Sequence, residues 1–71
     1  MKNKVVQVLI TKEDGMYTAE GINANIVTQG ETLDELEKNI REVIDLYFEG
    51  EDAAELGFVE SPAVMASFEL A

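Results

Sequence analysis

The chain contains no cysteine, no histidine and no tryptophan, a single proline, and five basic residues against fifteen acidic ones in 71 positions. Each shortage removes a class of function. Without cysteine there is no disulfide framework, no thiolate metal site and no thiol nucleophile. Without histidine, the commonest general base and the commonest transition-metal ligand are missing. The scarcity of lysine and arginine speaks against nucleic acids and anionic membranes, because affinity for phosphate comes from cations that release counterions. No apolar run is long enough to span a bilayer, and residues 1–14 lack the apolar stretch and cleavage site of a signal peptide. A cytoplasmic protein with no direct contact to nucleic acid or membrane is expected.

What remains is enough to fold. A hydrophobic fraction of 46% is ordinary for a globular chain, so the net charge of −10 does not imply disorder. The length allows one domain over residues 1–71, near the lower limit for a core that holds without staples. The charge is unevenly spread. Lys2, Lys4, Lys12, Lys38 and Arg41 all precede residue 42, and from Glu42 to Ala71 there are eight acids and no base. Such a field fits a basic protein partner, or serves solubility alone.

Residues 4–12 are dense in β-branched side chains and read as a strand. Val6, Val8 and Ile10 share one face; Val5, Gln7 and Leu9 share the other. Both faces are largely apolar, so the strand belongs in the middle of a sheet. Glu13-Asp14-Gly15 is a turn, and residues 16–20 return as the second strand of a hairpin. Residues 21–25 form a loop, and Ile26–Gln29 a short third strand ending at Gly30. A helix follows. Thr32 and Glu35 have the spacing of a capping box, and Leu33, Leu36, Ile40, Val43, Ile44, Tyr47 and Phe48 recur along one helical face before Gly50 stops it. Glu31, Asp34, Glu35 and Glu37 near its start favour the helix dipole. Residues 56–59 are ambiguous. Ser61-Pro62 ends the connection, because a residue before proline is driven to extended backbone, and Ala63–Leu70 reads as a last strand with Val64, Ala66, Phe68 and Leu70 on one face.

The expected fold is therefore α+β in the order β-β-β-α-β. It is an antiparallel three-stranded meander, with the fourth strand beside the first and one helix on one face. A right-handed crossover makes the last strand parallel to the third. One helix covers one face only, so a second copy of the chain is expected on the other, over Val5 and Leu9, as a homodimer.

Catalytic chemistry finds few footholds. The hydroxyls Thr11, Thr18, Thr28, Thr32, Ser61 and Ser67 have no histidine to activate them. Carboxylates are plentiful, but most lie beside or opposite the apolar helix stripe, where solvation is the default. Glu49, Glu51, Asp52 and Glu55 cluster without the spacing of a calcium loop, and read as solvated charge ahead of a weak divalent-ion site. Gly30 before a helix is a weak phosphate signal, and Glu31, Asp34 and Glu35 would repel the anion. No catalytic residue, cofactor or metal is expected.

The run Thr28-Gln29-Gly30-Glu31-Thr32-Leu33-Asp34-Glu35 opening the helix, with Asn39 one turn on and Asp14-Gly15 and Tyr17 earlier, resembles the HicB family of antitoxin domains. The likeness covers residues 4–48 well. The family's proline-bearing loop between strands two and three is replaced here by residues 21–26, which hold no proline, and no operator-binding domain is expected within these 71 residues. The resemblance implies a truncated RNase H-like fold without catalysis, since the middle of the first strand offers no metal-binding carboxylate. It implies as partner a small basic HicA-type mRNA-cleaving toxin, neutralised by protein–protein contact. The expected contact is the acidic C-terminal half, through Asp45, Glu49, Glu51, Asp52 and Glu55, with apolar help from Leu46, Phe58 and Val59. The alternative is a stand-alone oligomeric module of the same fold, structural or small-ligand-binding, with no toxin.

Overall fold

In the computed structural model, which describes residues 2–69, the order of elements is strand, strand, strand, helix, strand. Strand β1 (Asn3–Glu13) and β2 (Met16–Gly21) form a hairpin. Its two-residue turn has Asp14 at φ 52° and Gly15 at φ 78°. Positive φ at both positions matches the right-handed twist of the flanking strands. β3 (Val27–Gly30) pairs antiparallel with β2, and β4 (Phe58–Phe68) pairs parallel with β1, giving the order β3-β2-β1-β4. The expected α+β arrangement and strand order are those observed.

Helix α1 (Leu33–Phe48) begins where the sequence places it. Thr32 is extended, and its Oγ1 accepts from the Glu35 N–H at 3.1 Å. This occupies one of the free amides of the first turn. Asn39 donates from Nδ2 to the Gln29 carbonyl at 2.7 Å and ties the helix to β3. Gly30 allows close approach, since a Cβ there would lie 2.6 Å from the Leu36 backbone nitrogen.

The core lies between the helix and one face of the sheet. Val6, Val8 and Ile10 of β1 meet Leu36, Ile40 and Ile44 of α1, closed by Ala19, Ile26 and Phe58. Phe58 and Leu36 are each 1% exposed. Of the expected helix stripe, Val43, Tyr47 and Phe48 are half-buried and Leu33 is exposed. Val5 and Leu9 on the opposite face are only half-buried, and among the described residues no helix or strand packs over them.

Two features depart from expectation. β4 begins at Phe58, five residues earlier than expected, and the Ser61-Pro62 step lies inside it. Ser61 is not extended but has φ 53°. Between Asn3↔Phe58 and Val5↔Ala63 the register slips. The extra residues of β4 leave the ladder there, a bulge that re-aims side chains without ending the strand. Leu70, expected at the end of this strand, lies outside the described residues.

The loop after β2 is held by Asn23. Its Oδ1 accepts from the Gln7 N–H at 2.9 Å and its Nδ2 donates to the Val5 carbonyl at 2.8 Å. One side chain thus continues the β1 ladder beyond the end of β2.

Candidate functional site: an acid-rimmed groove

The helix packs over β1, β2 and β3 and leaves the β4 side of the same sheet face incompletely covered. The result is a solvent-open groove of about 1230 Å³ between α1 and β4. Its floor is apolar: Val64 and Ala66 are exposed in it, beside the buried Ile10 and Phe58. One wall is the flank of the helix stripe, with Leu33, Leu36, Ile40 and Ile44. Residues 51–54 and, from the β4 bulge, Glu60, Ser61 and Pro62 also line the groove.

The rim is charged with one dominant sign. Glu37, Asp45, Glu51, Asp52 and Glu60 line it, against Lys2 and Arg41. Arg41 is already engaged by Glu37 one turn away at 3.1 Å, with both side chains largely exposed. That pair adds little to stability, but it takes up one of the two cations. The acids stand apart around the groove, and among the described residues no three histidine, cysteine or acidic side chains converge so as to hold a metal ion. Among the described residues, too, no helix is long and apolar enough to cross a membrane.

No family model, curated protein or solved structure matches the chain. The groove is therefore read from its own chemistry.

The structure brings together some of the residues singled out in the sequence and separates others. Asp45, Glu51 and Asp52 stand on the groove rim. Glu49 and Glu55 are exposed but do not line it, and Leu46, 67% exposed, lies on the outer side of the helix. Val59 is half-buried within the bulge. Phe58 is a correction. Expected to offer apolar surface to a partner, it is core, with Phe48 edge-on to its ring at 5.5 Å between centroids. The position where β4 enters beneath the helix end must be filled, and an aromatic fills it.

Glu37, Arg41, Glu60, Val64 and Ala66 belong to the groove and were not among the expected contacts. A signal for part of this existed. Glu37, Arg41 and Asp45 follow one another at four-residue spacing, on the single flank of the apolar stripe that a right-handed crossover turns toward the last strand.

Proposed function

We propose that this chain is a HicB-like antitoxin domain, binding a small basic HicA-type mRNA-cleaving toxin through the groove between α1 and β4. The observation that carries the reading is the pairing of an apolar floor with a rim of five carboxylates. A cationic protein surface is drawn in by the field of the whole chain, with its net charge of −10, and then buries apolar side chains on Val64 and Ala66. Charge speeds the encounter and sets orientation, while the floor supplies contact that outlasts it. A toxin face held in this way would be closed to the phosphates of RNA. A truncated RNase H-like lineage, action in the cytoplasm and a homodimeric state belong to the same proposal. So does the absence of catalysis.

The alternative, a module for a small ligand, fits the groove less well. Pockets for small molecules usually enclose about 300–1,000 Å³ and bury most of the ligand. This groove is larger and open along its length, a shape suited to a helix or an extended segment.

The test is an RNA-cleavage assay with the small basic protein encoded beside this chain's own gene. Equimolar addition of the chain should abolish cleavage, and reversing charge at Asp45, Glu51 and Asp52 should slow association by about tenfold or more at low salt. The absence of such a neighbour, or undiminished cleavage with the chain in excess, would contradict the proposal.

A further inference from the structure

The last strand of the sheet carries an edge that a folded protein seldom leaves bare. β4 borders β1 on one side only, and every residue from Ala63 to Phe68 is exposed. Met65 is 59% exposed, Val64 46% and Phe68 43%. The Glu69 N–H donates to the Ile10 carbonyl at 2.9 Å. The register from Val5↔Ala63 to Ile10↔Phe68 is unbroken. Backbone groups alternate in direction along a strand, so those of Ala63, Met65 and Ser67 also point to β1. The N–H and C=O groups of Val64, Ala66 and Phe68 therefore point outward, away from the sheet.

Sheet edges are usually blunted with lysine, an inward charge, a proline or a bulge. Here the bulge and Pro62 precede this stretch, and no charged residue occurs between Glu60 and Glu69. In a chain with fifteen acids, this is a neutral strip with a full set of outward hydrogen-bonding groups. The edge offers a cation no charge to pair with, but a neutral strand of equal length can use its hydrogen bonds, and the chain itself supplies one.

We propose that β4 pairs antiparallel with β4 of a second copy, about a two-fold axis through Ala66, joining the two sheets into one. In this register Ala66 faces the partner's Ala66, and Val64 faces the partner's Phe68. All three outward-pointing residues then exchange backbone hydrogen bonds. Met65 lies opposite the partner's Ser67, and Glu69 opposite the partner's Ala63, so no two acids meet across the seam. Centring on Met65 instead would set Phe68 against the partner's Pro62, which has no N–H to give.

The open sheet face is the poorer seat for a second copy. There Leu9 stands between Glu20 on β2 and Ser67 on β4, and Gln7 lies beside Met65. A two-fold contact on that face would bury polar side chains and a carboxylate.

Edge pairing buries on the order of 1,000 Å² in total, the low end for a specific interface, so dimerisation should be weak, in the micromolar range. It also changes the groove. Val64 and Ala66 form part of the floor, both helices lie on the same side of the joined sheet, and the partner's Phe68 comes to lie beside Val64. The two grooves become one trough walled by a helix from each copy.

The experiment is sedimentation equilibrium on the chain alone, from about 1 to 300 µM, spanning the association expected for so small an interface. It is independent of whether any toxin binds. The native chain should pass from one-chain to two-chain mass. Ala66→Pro removes an outward N–H that the single copy does not use, and it should remain at one-chain mass with an unchanged far-ultraviolet circular dichroism spectrum. Val64→Lys provides the same reading should the proline disturb the strand. In a mixed sample of labelled and unlabelled chains, Met65 and Ser67 should show an intermolecular α-proton contact. One-chain mass for the native protein throughout, or two-chain mass persisting in Val64→Lys, would overturn the proposal.

Discussion

Replacing Gly30 by alanine tests how closely the helix must sit on the sheet, and so what opens the groove. The backbone at Gly30 is not in the left-handed region, so alanine meets no conformational penalty there. The cost is collision. A Cβ would lie 2.6 Å from the Leu36 nitrogen, 2.9 Å from its Cα and 3.2 Å from the Glu35 carbonyl carbon. All three are backbone atoms of the first helical turn, so no side-chain rotation relieves them and the helix must move away from β3. Overpacking of this kind costs about 1–3 kcal/mol. The shift also stretches the Asn39–Gln29 hydrogen bond, now 2.7 Å, which contributes about 0.5–1.5 kcal/mol. Against this, alanine stiffens the unfolded chain by about 0.4–1 kcal/mol. The net loss is about 0.5–4 kcal/mol, centred near 2, in a domain whose whole stability at this length is about 4–10 kcal/mol. Urea unfolding followed by circular dichroism should show the midpoint falling with the slope unchanged, and Tm dropping by about 10–20 °C. A change below about 0.5 kcal/mol, or a gain, would refute the close approach of helix and strand.

Other substitutions probe separate parts of the account. Thr32→Ala removes the acceptor for the Glu35 N–H and should cost about 1 kcal/mol in the same denaturation experiment. Phe58→Ala, in the core at 1% exposure, should cost about 3–5 kcal/mol and lower Tm by about 12–40 °C by calorimetry. Asn23→Ala leaves the Gln7 N–H and the Val5 carbonyl without their side-chain partner. It should cost about 1–2 kcal/mol, with faster amide exchange localised at Gln7. Arg41→Ala breaks only an exposed pair and should change unfolding free energy by less than about 0.5 kcal/mol.

The periodic parts of the structure were legible in the sequence for physical reasons. The alternation of Val6, Val8 and Ile10 fixes which face of β1 is buried, and Asp14-Gly15 dictates the tight turn. Thr32, Leu36, Ile40 and Ile44 fix the helix and its inner face. The order of strands then follows from chain connectivity and handedness. What escaped depends on contacts distant in sequence. The early start of β4 rests on pairing between Phe58 and Asn3, and no local pattern announces it. The bend at Ser61 defies the usual preference of a residue before proline, because pairing on either side of the bulge holds the strand in place. Asn23 reads as an ordinary loop residue until the fold shows that its side chain, following the Ile22–Gln7 backbone bond, takes up the Gln7 N–H and the Val5 carbonyl. The groove was illegible for a similar reason. It exists because the helix lies over β1, β2 and β3 and not over β4, a matter of tilt that composition does not encode. The acids Asp45, Glu51 and Asp52 were identified by charge alone, while Glu37 and Glu60 needed the geometry.

The account turns on the groove being a seat for a cationic protein. Its most direct test is to titrate the isotopically labelled chain with the neighbouring basic protein, made inactive, and to follow the backbone amide resonances. Changes should concentrate at Glu37, Arg41, Asp45, Asp52, Glu60 and Ala66, and should diminish as salt is raised. Changes confined to the opposite sheet face around Gln7 and Glu20, or none at all at millimolar excess, would contradict it.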